Sequence, residues 1–374
     1  MENIYDIIIV GAGSMGSSAA YYASLDNKKI LLIDRDNPPH SYGSHHGQTR
    51  LIRHAYAEGA SYVPLALQAQ ALWNELQDKT KKPIFLKTGV LSIAHKDSSF
   101  INNIISSAKE YHLELDVYDY SKLQSKYPMI NVPNDYIGAL EVNSGVLFCE
   151  NAIETYIKLA IENGVDLLPN ATVTNIHSNN DLVNVYIDDS IYVSKSVIVC
   201  AGAHSSELLN KLDLNLPIQA SRATFAWYEA DEAVYNEAVF PGFSIETDEG
   251  IYYGFPSINQ EGLKVGKHYC EPMPIEKMHD FDEKDQKMLS DFIAKYFKGD
   301  ITFKQGKQCI YTMSEDEAFI IDRHPNHHNI IIAAGFSGHG FKFASAIGLK
   351  LYQLTQGLSV KNIEAFKLER FGNN

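Results

Sequence analysis

Three glycines near the start of the chain have the spacing of a dinucleotide-binding turn. Gly11, Gly13 and Gly16 follow a β-branched run and precede a segment with helical character, and Asp34 comes 23 residues after the first glycine. Gly11 permits a tight turn, Gly13 leaves room for a pyrophosphate, and Gly16 lets helix and strand pack closely. Asp34 can accept hydrogen bonds from a ribose diol and disfavours a 2′-phosphate. The pattern predicts an ADP-containing cofactor and leaves FAD and NAD open.

Cations are concentrated in short segments of an otherwise acidic chain. Residues 44–54 (SHHGQTRLIRH) carry two arginines and three histidines, and residues 263–268 (LKVGKH) carry two lysines and a histidine. Arg50 and Arg53 are three residues apart, so a helical turn would place both on one face. Two cations that face one cleft need an anion beside them. A substrate carboxylate, a flavin or a phosphate would each supply that anion.

Cysteine and histidine spacing indicates no further chemistry. Cys309 stands alone, and a free cysteine is most often a small buried hydrophobe. Residues 335–339 (GFSGH) have histidine where a nucleophile elbow needs its second glycine. The histidine pairs at 45–46 and 327–328 lack the spacing and the carboxylate partner of a metal site. We therefore expect neither a serine hydrolase nor a metal.

The composition is that of an ordinary globular protein. Of 374 residues, 45% are hydrophobic and 21% are charged, and 32 Lys and Arg against 46 Asp and Glu give a formal charge of −14. This length suggests two or three domains, and the charge disfavours nucleic acids and anionic lipid as partners. Four cysteines without a CxxC pair favour a reducing cytoplasm. No apolar run approaches the roughly 20 residues of a membrane span.

Apolar patterns predict strands and helices in alternation at both ends of the chain. Strands are expected at residues 4–10, 29–33, 192–201 and 329–334. Helices are expected at about 17–25, 64–77, 100–111 and 151–163, and from about 340 to 353. Residues 220–270 alternate aromatic and polar side chains, which indicates an antiparallel sheet. A sheet of this kind between α/β segments argues for a second domain inserted into the first.

Many short motifs occur together in the order found in one known family. They are residues 11–16 (GAGSMG), 38–40 (PPH), 43–47 (GSHHG), 53–56 (RHAY), 62–65 (YVPL), 143–145 (NSG), 252–256 (YYGFP), 309–311 (CIY), 319–322 (FIID) and 338–343 (GHGFKF). Over essentially its whole length, the chain resembles the monomeric sarcosine oxidase and N-methyl-L-tryptophan oxidase family of FAD-dependent amine oxidases.

The resemblance implies an α/β fold with a Rossmann-like FAD-binding domain and an inserted substrate domain on an antiparallel sheet. The FAD-binding domain would comprise residues 1–84, 146–217 and 306–374, and the substrate domain residues 85–145 and 218–305. The residues expected to contact FAD are Gly11, Gly13, Ser14, Met15, Gly16, Asp34, Arg35, Ser44, His46, Thr49, Val173, Gly202, Cys309, Gly338, His339, Gly340 and Lys342.

The resemblance also implies roles for single residues. Cys309 would carry FAD covalently, which reverses the interpretation of this cysteine as a buried hydrophobe. Arg53 and Lys342 would bind the substrate carboxylate, and Lys264 would promote the reaction of reduced flavin with oxygen. The other residues expected at the flavin or in the substrate pocket are Arg50, His46, Tyr253, His268 and Tyr311.

The implied reaction oxidises an N-methyl amino acid with molecular oxygen and water to the amino acid, formaldehyde and hydrogen peroxide. The amine must be neutral to react, although an alkylammonium has a pKa of about 10.4 in water. Nearby cations favour the neutral amine, and the candidates are Arg50, Arg53, Lys342 and protonated His268. The resemblance also implies a monomer.

The substrate stays open within the family. Residues 225–228 and 266–268 are similar to the N-methyltryptophan branch, whereas residues 240–243 and 309–312 are similar to the sarcosine branch. Ser244 is smaller than the residue expected for the sarcosine branch and could widen the pocket. The alternatives are an FAD oxidase of another secondary amine or imino acid, and a flavoprotein that binds amino acids without turnover.

Overall fold

The computed structural model describes residues 4–179, 181–268 and 271–372. In chain order the strands are β1 (Tyr5–Val10), β2 (Ile30–Ile33), β3 (Thr49–Ile52), β4 (Phe85–Leu86), β5 (Val90–His95), β6 (Leu115–Tyr118), β7 (Tyr136–Glu141), β8 (Gly145–Phe148), β9 (Asp166–Leu168), β10 (Val173–Ser178), β11 (Val183–Ile187), β12 (Ser190–Val199), β13 (Ile218–Glu229), β14 (Gly242–Thr247), β15 (Gly250–Phe255), β16 (Leu263–Lys267), β17 (Glu271–Pro272), β18 (Thr302–Ser314), β19 (Ile320–Arg323) and β20 (Ile330–Ala334). The helices are α1 (Ser14–Ser24), α2 (Val63–Thr80), α3 (Ser99–Glu110), α4 (Tyr120–Lys126), α5 (Cys149–Glu162), α6 (Ser205–Asn210), α7 (Glu232–Tyr235), α8 (Glu283–Tyr296) and α9 (Ala344–Thr355).

A parallel sheet forms the centre of the first layer of the fold. Its strands β20, β12, β1, β2 and β9 are parallel neighbours, and β19 is antiparallel at one edge. Strand β11 pairs antiparallel with the start of β12, and β10 pairs antiparallel with β11. Both faces of β1 are covered: Ile7 and Ile9 pack in a core with α1, α2, α5 and α9, whereas Ile8 packs in a second core with α6. Burial on both faces explains why these strands are continuous β-branched runs.

A second, mostly antiparallel sheet has the order β17, β13, β16, β15, β14, β5, β7 and β6, with β18 paired along β13. The pair of β14 and β5 is parallel. Helix α8 covers one face, where Phe292 stacks on Tyr252 with 4.0 Å between the ring centroids. On a row of adjacent strands, Ser244 lies opposite Tyr253, and Tyr253 lies opposite Gly266.

Strands β3, β8 and β4 form a third, small sheet in that order. Strand β3 pairs antiparallel with β8 and carries Arg50 opposite Leu147. The chain then leaves β3 through Arg53 and reaches α2 by a short turn at Ala60–Tyr62. Lys264 of β16 donates hydrogen bonds to Gly47 and Thr49, so the basic segment lies against the second sheet.

The fold class and the main elements agree with the sequence predictions. The four predicted strands and four of the predicted helices lie within three residues of their observed bounds, and the last predicted helix begins with a turn at Phe341–Phe343 before α9. Helices α4, α6, α7 and α8 were not predicted. Strand β18 continues through residue 306, so the predicted domain boundary at that residue falls inside a strand. The domain boundaries stay a prediction.

Candidate functional site

The glycine turn after β1 has the geometry of a phosphate-binding loop. Gly11 has φ +101°, and a Cβ atom there would overlap the carbonyl oxygen of Cys200. A Cβ atom at Gly16 would overlap the carbonyl oxygen of Gly11, so α1 can pack against β1 only with glycine there. Helix α1 begins at Ser14 with Gly13 as its N-cap. Its unpaired N–H groups and partial positive charge therefore favour an anion at the turn.

Asp34 lies directly after β2 and is 6% exposed. Its Oδ2 atom accepts a hydrogen bond from the N–H of Ala12 at 2.7 Å, and its Oδ1 atom accepts one from the N–H of Asp36 at 3.0 Å and lies 3.2 Å from His40 Nε2. Burial alone would raise the pKa of Asp34, but the hydrogen bond from His40 and the two backbone hydrogen bonds lower it. The group is therefore a carboxylate, which can accept hydrogen bonds from ribose hydroxyls.

A cavity of about 470 Å³ joins the glycine turn, the end of β2 and the last loop of the chain. Gly13 exposes bare backbone to this cavity, because a Cβ there would meet no atom closer than 3.8 Å. His45 also lines it, and its buried Nε2 atom has no hydrogen-bond partner. Burial lowers the pKa of His45 to about 4, so the ring is neutral. The size, the bare backbone and this unpaired ring atom fit FAD.

Most residues expected at the cofactor line this large cavity. They are Gly11, Gly13, Ser14, Met15, Asp34, Arg35, Ser44, Val173, Gly202, Gly338 and Gly340, together with Arg50 and Tyr311. His45 was not predicted as a site residue, although it stands in the basic segment that the sequence singled out. Its burial, which the sequence does not show, distinguishes it from His40 and His46.

A second cavity of about 80 Å³ shares Arg50, Tyr311, Gly338 and Phe341 with the large one. The other expected site residues in its lining are Arg53, Tyr253, His268, His339 and Lys342. The structure therefore brings the two expected carboxylate-binding cations to one small cavity beside the larger one. His339 and Lys342 line this small cavity and are absent from the described lining of the large one.

The helical turn predicted for Arg50 and Arg53 is wrong. Arg50 lies in strand β3, and Arg53 follows the end of that strand. Backbone pairing with β8 holds this segment extended. Because β8 is distant in the sequence, the residues around Arg50 give no sign of this pairing. Both arginines still reach the small cavity. Arg50 also donates hydrogen bonds to the carbonyls of Ser44 and His46, at 2.9 and 2.7 Å.

Glu58 also lines the small cavity and was not predicted from the sequence. Its Oε1 atom accepts a hydrogen bond from Arg53 Nη2 at 2.8 Å, and the side chain is one-third exposed at the small cavity. Burial opposes ionisation, but the charge of Arg53 lowers the pKa of Glu58 to about 2. Glu58 is therefore ionised and paired with Arg53, the residue that is expected to bind the substrate carboxylate. The protein's own carboxylate occupies the place where the substrate carboxylate is expected.

We expect Glu58→Gln to lower the KM for carboxylate substrates about fivefold, because a partly exposed ion pair contributes about 1 kcal/mol. Steady-state kinetics of peroxide formation would measure it, with exposed Glu110→Gln at the end of α3 as the control. An unchanged or raised KM would show that Glu58 does not compete with the substrate.

Lys342 is held by a directed hydrogen-bond network. Its Nζ atom donates to Tyr56 Oη at 3.1 Å and to the carbonyl of His339 at 2.9 Å. Tyr56 Oη lies 2.8 Å from His339 Nδ1, and His339 Nε2 lies 3.1 Å from the carbonyl of Glu317. Burial, with the charge of Lys342, lowers the pKa of His339 to about 3. A neutral ring that donates to Glu317 must accept the Tyr56 hydroxyl proton, so Tyr56 is free to accept from Lys342.

Burial also changes the charges expected around the small cavity. It lowers the pKa of Lys342 to about 7, with a further contribution from Arg53. It lowers the pKa of His268, so the ring is neutral near pH 7. The expected protonation of His268 is therefore wrong, because burial, with the charges of Arg53 and Lys342, outweighs the opposing charge of Glu58. Arg50 and Arg53 remain as the permanent cations.

Five expected residues lie behind the described cavity linings, namely Gly16, His46, Thr49, Lys264 and Cys309. Lys264 is 2% exposed, and its Nζ atom donates to the carbonyl of Gly47 and, at 3.1 Å, to Thr49 Oγ1. The ring of His46 lies 6.3 Å from that of Phe225.

Cys309 lies on β18 opposite Ala223 and is 2% exposed. It packs in one cluster with Tyr311, two residues further along the same strand. Burial raises the pKa of the Cys309 thiol, whereas the charges of Arg50 and Lys264 act in the opposite direction. The cysteine therefore lies beside the cavities, in a buried environment with two cations nearby.

The comparisons with known proteins agree with this geometry. Residues 6–354 match the family described as FAD dependent oxidoreductase. The chain is 43% identical to the monomeric sarcosine oxidase of Bacillus sp. (strain B-0618), over 99% of this chain and 97% of that protein. It is 42% identical to the N-methyl-L-tryptophan oxidase of Citrobacter koseri, over 98% of this chain and 99% of that protein.

Solved structures show the same fold at lower identity. NikD, described as an unusual amino acid oxidase essential for nikkomycin biosynthesis, matches with a TM-score of 0.86 at 18% identity, over 98% of each chain. The L-proline dehydrogenase of P. horikoshii matches with a TM-score of 0.88 at 18% identity, over 99% of this chain and 98% of that one. In the described ranges, no helix has the length and apolar character needed to cross a bilayer.

The glycine turn, the large cavity that fits a dinucleotide and the match over almost the whole chain lead to one conclusion: the chain belongs to the FAD-dependent oxidoreductase family, together with monomeric sarcosine oxidase and N-methyl-L-tryptophan oxidase.

Proposed function

We propose that this protein is an FAD-dependent oxidase that demethylates N-methyl amino acids. The observation that carries the proposal is the pair of cations, Arg53 and Lys342, at a small cavity that shares its wall with the large cavity. The reaction converts R–NH–CH3, O2 and H2O to R–NH2, formaldehyde and H2O2. When bound, FAD accepts a hydride equivalent from the methyl carbon and transfers two electrons to oxygen.

The two cations bind the substrate by its carboxylate. Arg53 presents a guanidinium, which can hold a carboxylate through two parallel hydrogen bonds. Lys342 presents an ammonium whose pKa near 7 would rise beside an anion, so carboxylate binding favours the charged lysine. The substrate carboxylate would take the place of the Glu58 carboxylate on Arg53, so the guanidinium keeps one negative partner throughout.

The same charges prepare the amine. The free substrate carries an ammonium, whereas oxidation of the methyl group needs a nitrogen lone pair. Arg50, Arg53 and Lys342 lie around the cavity and disfavour a further positive charge, and exclusion from water acts in the same direction. Because burial lowers the pKa of His268, its ring is neutral and offers a nitrogen lone pair to the departing proton, and the same low pKa favours onward release of that proton from the ring.

We further propose that FAD is linked through Cys309. The cysteine is on the same strand as Tyr311, which lines both cavities, and it is buried beside Arg50 and Lys264. Those cations favour the thiolate, which would form the thioether carbon–sulfur bond in place of a C–H bond of the flavin. That exchange would release one proton and two electrons, which the flavin would take up and pass to O2. The other expected cofactor and catalytic residues keep their proposed roles, with Lys264 as the group that acts on oxygen.

The small cavity favours a small substrate such as sarcosine. About 80 Å³ leaves little space for an indole unless the cavity enlarges. Ser244 lies in the wall, and its hydroxyl is 3.1 Å from that of Ser92 behind it, so the wall has a small polar side chain at this point. N-methyltryptophan is the second candidate, because Ser244 leaves room that a larger residue would fill.

A peroxide-coupled assay with sarcosine, N-methyltryptophan, N-methylalanine and proline tests the proposal. We expect equal amounts of peroxide and formaldehyde from the N-methyl amino acids, with the highest kcat/KM for sarcosine. Peroxide from proline without formaldehyde would instead indicate an imino acid oxidase. A yellow protein that forms peroxide with none of the four would contradict the proposed reaction and support a binding protein. The monomeric state and the cytoplasmic location stay predictions.

A further inference from the structure

Glu141 is a buried carboxylate outside the lining of both cavities. It is the last residue of β7 in the second sheet and is 4% exposed. Its Oε1 atom accepts a hydrogen bond from the N–H of His54 at 2.7 Å, and its Oε2 atom accepts one from the N–H of Ala55, also at 2.7 Å. One carboxylate of the antiparallel sheet therefore holds two successive amides of the segment that follows β3.

Further contacts satisfy the same carboxylate. His54 Nδ1 lies 2.6 Å from Oε1, and the buried hydroxyl of Ser144 donates to that oxygen as well. Burial opposes ionisation, but the hydrogen bond from His54, with those from Ser144 and the backbone, lowers the pKa of Glu141. A charged, fully hydrogen-bonded carboxylate is the arrangement that offsets the cost of burying the charge.

The segment held by Glu141 carries the carboxylate-binding side of the small cavity. Arg53 comes directly before His54, and Tyr56 comes directly after Ala55. Arg53 lines the cavity, and the Tyr56 hydroxyl accepts a hydrogen bond from Lys342. The backbone fixed by Glu141 thus lies between the residue that presents one cation and the residue that orients the other.

We propose that Glu141 is the positioning residue for the carboxylate-binding cations. It acts through the amides of His54 and Ala55, which set the direction of the Arg53 side chain and the place of the Tyr56 hydroxyl. The proposal rests on the proposed function, since it assigns a consequence for carboxylate recognition. If Glu141 positions only the carboxylate-binding side chains, its substitution should weaken the binding of ligands that carry a carboxylate. The binding of ligands without a carboxylate should be unchanged.

Glu141→Gln in the holoenzyme is the test. An amide oxygen can accept one of the two N–H bonds, while the amide NH2 group faces the other N–H, so the segment loses one charge-assisted hydrogen bond and gains a donor clash. We expect KM for sarcosine to rise about tenfold, kcat to stay within about threefold, and KM for sarcosine methyl ester to stay within about twofold. Asp116→Asn on neighbouring β6, an exposed carboxylate, is the matched control.

Acetate binding, followed by the change in the visible flavin spectrum, separates this proposal from the proposed function. If the wild type does not oxidise sarcosine, the proposed function fails, and a roughly tenfold weaker binding of acetate to Glu141→Gln still supports the positioning role.

Ser144→Ala is the second variant, for use if Glu141→Gln does not fold, because it removes only one contact to the carboxylate. It should raise KM for sarcosine about two- to threefold. Equal effects on sarcosine and its ester, or unchanged acetate binding and KM in the folded variants, would overturn the proposal.

Discussion

Lys264→Met is expected to slow the reaction of the reduced protein with oxygen by about two to three orders of magnitude. Reduction by substrate should stay within about threefold of the wild type. A positive charge fixed where negative charge develops on oxygen lowers the barrier of that step, and methionine removes the charge at similar volume. Stopped-flow absorbance of the flavin measures the two half-reactions separately.

The structure gives the physical reason for so large an effect. Lys264 is buried, with the rings of Phe225 and Phe255 at 4.6 and 4.7 Å from its Nζ atom. Burial, followed by the charge of Arg50, lowers its pKa to about 7. A group this close to losing its proton gains strongly from a nearby negative charge, because the low-polarity surroundings screen the interaction weakly.

Lys267→Met on the same strand is the matched control, and it should leave both half-reactions close to the wild type. Lys267 is half-buried three residues further along, and its Nζ atom lies 5.4 Å from the centre of the Tyr252 ring. Equal losses in the two half-reactions of Lys264→Met would contradict a role specific to oxygen. They would point to a general disturbance of the loop that Lys264 holds through Gly47 and Thr49.

Cys309→Ser is expected to give a protein whose flavin is released completely by acid. In the wild type, the yellow colour should remain with the denatured protein, because a thioether bond survives precipitation whereas contacts of the folded state do not. A serine hydroxyl has a far higher pKa than a thiol, so it does not supply the nucleophile for the linkage. Absorbance of the supernatant and the pellet after acid precipitation measures the fraction released.

Cys149→Ser and Cys200→Ser are the matched controls for this prediction. Both are free cysteines in the described part of the chain, and burial raises the pKa of each thiol. Cys200 even lines the large cavity, so it tests whether mere proximity suffices. Colour that pellets with Cys309→Ser, or colour lost from one of these controls, would assign the linkage elsewhere. Cys270 lies outside the described residues.

Local chemistry explains what was predictable in this fold. The glycine turn and Asp34 belong to one continuous unit of β1, α1 and β2, so their spacing in the sequence predicts their arrangement in space. Helix α8 was equally predictable but missed: Asp282 caps it and forms a reciprocal capping box with Asp285. The extended conformation of Arg50 was not predictable in this way. It depends on β8, almost a hundred residues away, and a spacing of three fits a helical turn as well as a strand end.

By itself, the sequence determined the class of fold, the dinucleotide-binding turn and, through its motifs, the family. These properties depend on short segments whose residue types are dictated by backbone geometry. Only the tertiary structure decided which cations share a cavity, that Glu58 pairs with Arg53, that burial lowers the pKa of His268, and that Glu141 accepts hydrogen bonds from the backbone between Arg53 and Tyr56. Charge states and long-range hydrogen bonds depend on burial and on contacts between distant segments. A short stretch of sequence determines neither its own burial nor its distant contacts.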